Sequence, residues 1–347
     1  MRVSILVEND SAPKFVRGGW AKVLKYCGHN VEIFDPRRES VHDHFRRCEP
    51  EIYLGTTYGV DRATRKVLDA RPKTKVGLFG SCFGPITDNL DREKYPLDVR
   101  TPEESMNVAN LSNYTAVFIH HTPKTVEHKT MTHWRGISDN VGSVINGSDI
   151  FSFLNGIPQE KYACDIAFVG GYWPYKARNL DKTIVQLCNN KELNIKIFGN
   201  GKWSVAQYAG FIEESEMKHL FASAVVCLNV SEPHSTDLGF DIIERVFKVP
   251  TCNGLLVSDT VNEFDEIINS ETLIPQYRNS DDIIRFIELF KENPKLRIEY
   301  IQDQKMWVLD GHTYFHRVAD IWNLLNEPEQ AEESLKKYTE LRKQHGI

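Results

Sequence analysis

No run of apolar residues in the 347-residue chain is long enough to cross a bilayer, so nothing in it calls for a membrane span. The first apolar run, residues 1–7, stops at Glu8-Asn9-Asp10, which is too short for a signal peptide and right for a first strand. Charge of one sign is also lacking. With 42 basic and 48 acidic residues the formal net charge is -6, so no global field draws the chain to nucleic acid or an anionic membrane. Net charge leaves open a basic groove on one face. Seven cysteines, odd in number and without CxxC spacing, give no disulfide framework and fit a reducing, cytoplasmic setting. Cys82, Cys164, Cys227 and Cys252 lie in or beside apolar runs and read as small buried side chains.

Several chemical signatures are missing as well. HExxH and calcium-loop spacings are absent, and His42/His44 with Asp43, or His128/His133, lack a closed ligand set, so no metal is expected. Without GxGxxG there is no ordinary dinucleotide fingerprint, and without a P-loop the chain does not read as a common NTPase or kinase.

What is present is repeated strand-helix grammar. A hydrophobic content of 41% over this length suits two well-buried domains. Strands are expected at 3–7, 31–34, 52–54, 75–79, 114–119 and 144–145, with a polar loop up to Gly18-Gly19 and a helix over 20–27. After a polar turn near residue 156 the cycle restarts, with strands at 165–169, 193–198 and 224–230 and a helix at 214–223. Helix-length connections favour parallel sheets, hence two doubly wound α/β halves, 1–155 and 156–311, facing across a cleft. Residues 312–347 read as helices, able to cross back onto the first domain.

The stretch 238–259 is the most informative. Ile242, Ile243, Val246 and Phe247 recur at helical spacing, Pro250 and Asn253-Gly254 break the pattern, and 255–257 reads as a buried strand. A helix opening after Gly239 at a sheet's carboxyl edge can hold an anion, and it can equally be a plain βα unit.

Strand ends offer Gly18, Gly19, Ser81, His120 and His121 in the first half, and Gly171, Lys176, Arg178, Lys202, Arg245 and Lys248 in the second. Cations and backbone N–H groups suit phosphate, and a carboxylate such as Glu244 suits sugar hydroxyls or simply pairs with Arg245 or Lys248. His120 or His121 could deprotonate a hydroxyl near neutral pH, and adjacent residues at a strand end point different ways, so one of the two is expected to be buried. Tyr172, Trp173 and Tyr175 could stack on a base or a sugar, or form an aromatic cluster of their own.

With those residues in place the chain resembles the two-domain nucleotide-sugar glycosyltransferases of the GT-B fold. Within them it resembles the spore maturation glycosyltransferase-like (CgeB-type) group and the broader group 1 glycosyltransferases. The resemblance is carried by the Gly18-Gly19 loop with Gly28-His29-Asn30-Val31, by 144–149, 165–178 and 197–201, by Glu244 to Asp259, and by Gly311 to Arg317. It implies transfer of a sugar from a UDP- or GDP-linked donor, with no further cofactor, to a hydroxyl-bearing acceptor. Glycan, small-molecule, protein and nucleic-acid acceptors all stay open. In that reading Gly18 and Gly19 approach the diphosphate, Lys176 and Arg178 neutralise it, and the helix from Gly239 meets it with its positive end. His120 or His121 is the base only if the reaction inverts, and a retaining outcome, which relies on the donor phosphate and cleft geometry, stays open. Two positions depart from the pattern. Lys248 stands where the family has a ribose-holding glutamate, with Glu244 one turn earlier as a substitute, and Asn253 replaces the first of two glycines. An epimerase-like enzyme and a noncatalytic nucleotide-sugar or glycan binder are the alternatives.

Overall fold

The computed structural model describes residues 1–9, 12–80, 102–127, 132–138, 140–201, 203–268 and 273–347. Ser81, Cys82, His128 and Lys202 lie outside the described residues. The chain forms two compact units, one of residues 1–146 with 314–347 and the other of residues 147–313. Each is a parallel sheet flanked by helices, the doubly wound α/β architecture expected from the alternation of short apolar runs and helical spacing.

The first unit holds β1 (Arg2–Leu6), β2 (Asn30–Phe34), β3 (Ile52–Thr56), β4 (Lys75–Phe79), β5 (Thr115–Ile119) and β6 (Asn140–Ser143), in the order β2-β1-β3-β4-β5-β6. β6 falls a few residues before the strand expected at 144–145, and β1 and β3 are buried on nearly every residue. The largest difference from the sequence reading is the first helix, which spans Ala12–Tyr26 and so contains Gly18 and Gly19 rather than following them. The reason is periodic burial. Val16, Trp20, Val23 and Leu24 are at most 7% exposed at i, i+4, i+7 and i+8, and Pro13 sits in the first turn, where a missing N–H is harmless.

The helices Tyr314–Leu324 and Pro328–His345 complete this unit, as expected of the tail. Phe315 meets Tyr26 edge-on at 5.7 Å, and Lys75 Nζ reaches the Glu327 carboxylate at 2.5 Å and the Leu325 carbonyl at 3.0 Å. A Cβ on Gly19 would lie 2.3 Å from the Tyr314 ring, whereas one on Gly18 would meet nothing within 4 Å. Gly19→Ala should therefore cost about 2 kcal/mol by overpacking, while Gly18→Ala should stabilise by about 0.5–1 kcal/mol as an ordinary helix substitution, which urea unfolding would resolve.

The second unit holds β7 (Cys164–Val169), β8 (Ile195–Phe198), β9 (Ala224–Asn229), β10 (Leu256–Asp259) and β11 (Gln276–Tyr277), in the order β11-β10-β9-β7-β8. Ile166, Phe168, Val226, Leu228 and Val257 centre its core and are at most 2% exposed. Near residue 239 the structure again differs from the reading. Pro233–Leu238 is a short helix that ends at Gly239 in the left-handed region (φ 82°), and the next helix begins only at Arg245. The turn stays unwound because Asp241 (φ 88°) bonds outward. Its carboxylate meets His234 Nε2 at 2.9 Å, and its N–H donates to Glu263 at 2.7 Å. Gly239 is thus a helix C-terminus, and the positive helix end expected there is absent.

Candidate functional site

In the second unit the strand order reverses between β7 and β9, the place in an open α/β sheet where ligands are usually held at the carboxyl ends. Arg245 spans that point. Nη2 donates to the Val169 carbonyl at the end of β7 (2.8 Å), and Nη1 donates to Asn229 Oδ1 at the end of β9 (3.3 Å). The guanidinium also lies 4.4 Å over the Phe168 ring. Burial lowers its pKa to about 10, so it stays protonated at neutral pH, and the residue keeps a partly exposed surface. Among the described residues no carboxylate comes within ion-pair distance of it. Five N–H donors, two of them given to neutral oxygens, leave a desolvated cation able to take an anion.

Asn229 links this cation to the Asp259 carboxylate, one of three, with Glu232 and Glu244, that act on its charge from beyond ion-pair distance. Its Nδ2 donates to Ser258 Oγ (3.0 Å) and Asp259 Oδ1 (3.2 Å), and Ser231 closes on Asp259 through both N and Oγ at 2.8 Å. Burial raises the Asp259 pKa against the pull of those donors. The glycine turns beside Arg245 leave no room for side chains. Gly199 has φ 149° and a Cβ on it would sit 2.3 Å from the Gly170 carbonyl, while one on Gly171 would sit 3.1 Å from the Asn200 carbonyl.

Lys176 and Arg178 stand on the helix Pro174–Leu180, and each already faces an acid. Lys176 Nζ is 2.5 Å from Glu232, and Arg178 Nη2 is 3.5 Å from Asp237, a surface pair. Tyr175, on the same helix, bonds His234 Nδ1 at 2.8 Å, and His234 continues to Asp241, so the two short helices are bolted together. Tyr172 packs on Trp203 and Tyr175 stacks on His234, so both rings have partners within the unit. Glu244 pairs with Lys248 at 2.9 Å, with both side chains under 15% exposed, and Lys248 Nζ lies 4.5 Å over the Phe153 ring. Asn253 takes the left-handed conformation (φ 62°) that a glycine would supply, and it uses its amide. Nδ2 donates to the Gly156 carbonyl (3.1 Å), and Oδ1 accepts from Lys305 (2.9 Å).

In the first unit His120 lies at the carboxyl end of β5, stacked on Phe79 at 4.2 Å and edge-on to Trp20 at 5.9 Å. Its Nδ1 sits 2.7 Å from the Val144 carbonyl, so Nδ1 carries the proton and Nε2 is the basic nitrogen of the neutral ring. His121 is fully buried, and His120 is the partly exposed member of the pair. Gly18 and Gly19 lie inside a helix, as described above. His44 is a core residue, bonded to Ser4 Oγ at 2.8 Å and Glu39 at 2.9 Å. A cavity of about 390 Å³ opens at the amino ends of β1, β3 and β4, on the edge opposite the strand ends described here. Among the described residues no group of His, Cys, Asp and Glu could hold a metal, and no helix is long and apolar enough to cross a membrane.

Asn229, Asp259 and the Arg245 bridge were not legible as a unit in the sequence. The signal that could have found them is a polar residue closing a buried strand, as in Leu228-Asn229 and Ser258-Asp259.

Comparison with known proteins is consistent with this geometry. The family described as glycosyl transferase-like matches residues 159–323, a little under half of the chain and most of the second unit. No curated protein sequence matches. Among solved structures, T4 phage BGT in complex with its UDP-glucose substrate aligns over 99% of both chains with a TM-score of 0.58 at 15% identity. Sucrose-phosphate synthase from Thermosynechococcus elongatus aligns over 94% of this chain and 98% of its own, with a TM-score of 0.60 at 8% identity. S. aureus MnaA in its complex with UDP covers 94% and 98%, with a TM-score of 0.54 at 9% identity. At these identities the likeness is one of fold: two Rossmann-like units in a single chain.

Proposed function

We propose that the protein is a glycosyltransferase that takes a sugar from a nucleoside diphosphate sugar, UDP- or GDP-linked, and delivers it to a hydroxyl-bearing acceptor. The observation that carries this reading is the Arg245 guanidinium, partly withdrawn from water and with no carboxylate in ion-pair contact, across the β7/β9 switch point. A diphosphate supplies the missing charge there, and the glycine turns at 170–171 and 199–201 let its backbone come close. Lys176 and Arg178 add charge by exchanging Glu232 and Asp237 for phosphate oxygens. His120 serves as the base on the acceptor side. The glycosyl transferase-like match over 159–323 and the T4 phage UDP-glucose complex support the same chemistry.

The fold likeness to the MnaA–UDP complex favours one second reading, an epimerase-like enzyme on the same donor. Mass spectrometry separates the two. With UDP- and GDP-sugars and a panel of acceptors, a transferase gives free nucleoside diphosphate and a heavier acceptor. An epimerase changes the donor sugar with no acceptor present. Turnover of neither kind contradicts the enzymatic reading.

A further inference from the structure

The first unit has its own switch point, between β1 and β3, and it too is spanned by an arginine. Arg17, 3% exposed, donates Nη1 to the Leu6 carbonyl at the end of β1 (2.8 Å). It also grips both oxygens of Glu8, Nη1 to Oε2 and Nη2 to Oε1 (3.0 Å), and Nη2 reaches the Tyr58 hydroxyl at 3.4 Å. Tyr58, just beyond β3, donates its hydroxyl to Glu8 Oε1 at 3.1 Å. The two arginines hold equivalent places and differ in their pairing. Among the described residues Arg245 makes no ion-pair contact, although Asp259, Glu232 and Glu244 lie near enough to act on its charge, whereas Arg17 is neutralised by a two-point ion pair.

What reaches solvent at this edge is therefore not the cation. It is the Glu8 carboxylate, with its side chain 21% exposed, and Tyr58, a residue 46% exposed. Arg17 and Tyr58 fix the carboxylate in one orientation, and a carboxylate has about four acceptor positions, so capacity remains for a hydroxyl or amino donor. An exposed tyrosine face next to an oriented carboxylate suits an uncharged ring that donates hydrogen bonds, and the paired Arg17 leaves phosphate no cation to bind.

We infer that Glu8, Tyr58 and Arg17 form a subsite of the first unit for an uncharged, hydrogen-bond-donating ring of the acceptor. Tyr58 packs on the ring face, Glu8 takes its hydroxyl or amino donors, and Arg17 positions Glu8. The subsite lies three strands from His120 along the same sheet edge, on the order of 14 Å at normal strand spacing, so it holds a part of the acceptor away from the reacting hydroxyl. This inference rests on the transferase reading.

The test is a calorimetric and saturation-transfer NMR titration of the full chain with methyl glucoside, cytidine, inorganic phosphate and uridine diphosphate. Parent, Tyr58→Ala, Glu8→Gln and Arg245→Ala proteins are compared, each first shown to be folded by circular dichroism. Glu8→Gln strips the buried Arg17 of its partner and risks instability. Tyr58→Ala, at an exposed position, keeps the test decisive. One of the two uncharged rings should bind in the millimolar range, weaken by about tenfold in Tyr58→Ala and Glu8→Gln, and be unaffected by Arg245→Ala. Methyl glucoside as the binder identifies a sugar ring, and cytidine a nucleobase. Phosphate should follow Arg245 alone. Binding of neither ring, or ring binding indifferent to Tyr58, overturns the inference while uridine diphosphate binding still upholds the transferase reading. Failure of the diphosphate to bind overturns the reading beneath it.

Discussion

Replacing Arg245 by alanine is expected to weaken binding of a nucleoside diphosphate by roughly a hundredfold, about 2.8 kcal/mol, the upper range for a lost charge-assisted hydrogen bond. The effect is large because the guanidinium is partly withdrawn from water, the burial that also lowers its pKa, so its attraction for phosphate is screened less than at an open surface. Part of the loss comes from geometry. Nη1 and Nη2 tie the ends of β9 and β7, and alanine leaves the Val169 carbonyl and Asn229 Oδ1 without those donors. Arg245→Lys separates the two contributions. It keeps the charge but cannot span both strand ends, so it should recover about half of the binding energy. Because Arg245 packs over Phe168, each variant needs its unfolding midpoint measured, and an affinity loss larger than the stability loss is the expected signature.

Exchanging His120 for glutamine should lower kcat by roughly a hundred- to ten-thousandfold, with donor affinity unchanged. The Nδ1 hydrogen bond to Val144 fixes the tautomer that leaves Nε2 basic, and Phe79 and Trp20 hold the ring plane. The glutamine amide keeps the polarity of the site without the base. A variant that turns over at the parent rate would assign proton removal elsewhere and favour a retaining outcome. The neighbouring His121, fully buried, should respond to substitution mainly through stability.

The two-sheet fold was legible in the chain because its signals are local. Short apolar runs such as those of β3, β7 and β9 recur with helix-length spacing, and no tertiary knowledge is needed to read them. Gly18-Gly19 misled because paired glycines suggest a turn. Here Trp20 and Val16 bury the same helix face on both sides of the pair, and Gly19 is small so that Tyr314 can pack against it. Gly239 misled for the converse reason. The apolar spacing of 242–247 is helical, but Asp241, His234 and Glu263 form bonds across the fold that hold 239–244 in a turn.

The site was legible in part. Lys176, Arg178 and Glu244 were visible as charged residues near strand ends, yet which opposite charge each would meet depends on residues 56, 59 and 4 positions away, and only the last is readable from helical spacing. Arg245 was visible as one cation among several. Its distinction, a cation at a strand-order reversal bonded to neutral oxygens and in ion-pair contact with no carboxylate, exists only once β7 and β9 lie side by side.

The central claim is that the second unit holds a nucleoside diphosphate at Arg245. Isothermal titration of uridine and guanosine diphosphates into the parent protein and Arg245→Ala addresses it most directly. The account predicts binding of at least one of them in the micromolar range, with a clear preference between the bases, and roughly a hundredfold loss in the folded variant. No binding of either diphosphate to the parent, or equal affinity for parent and Arg245→Ala, would contradict it.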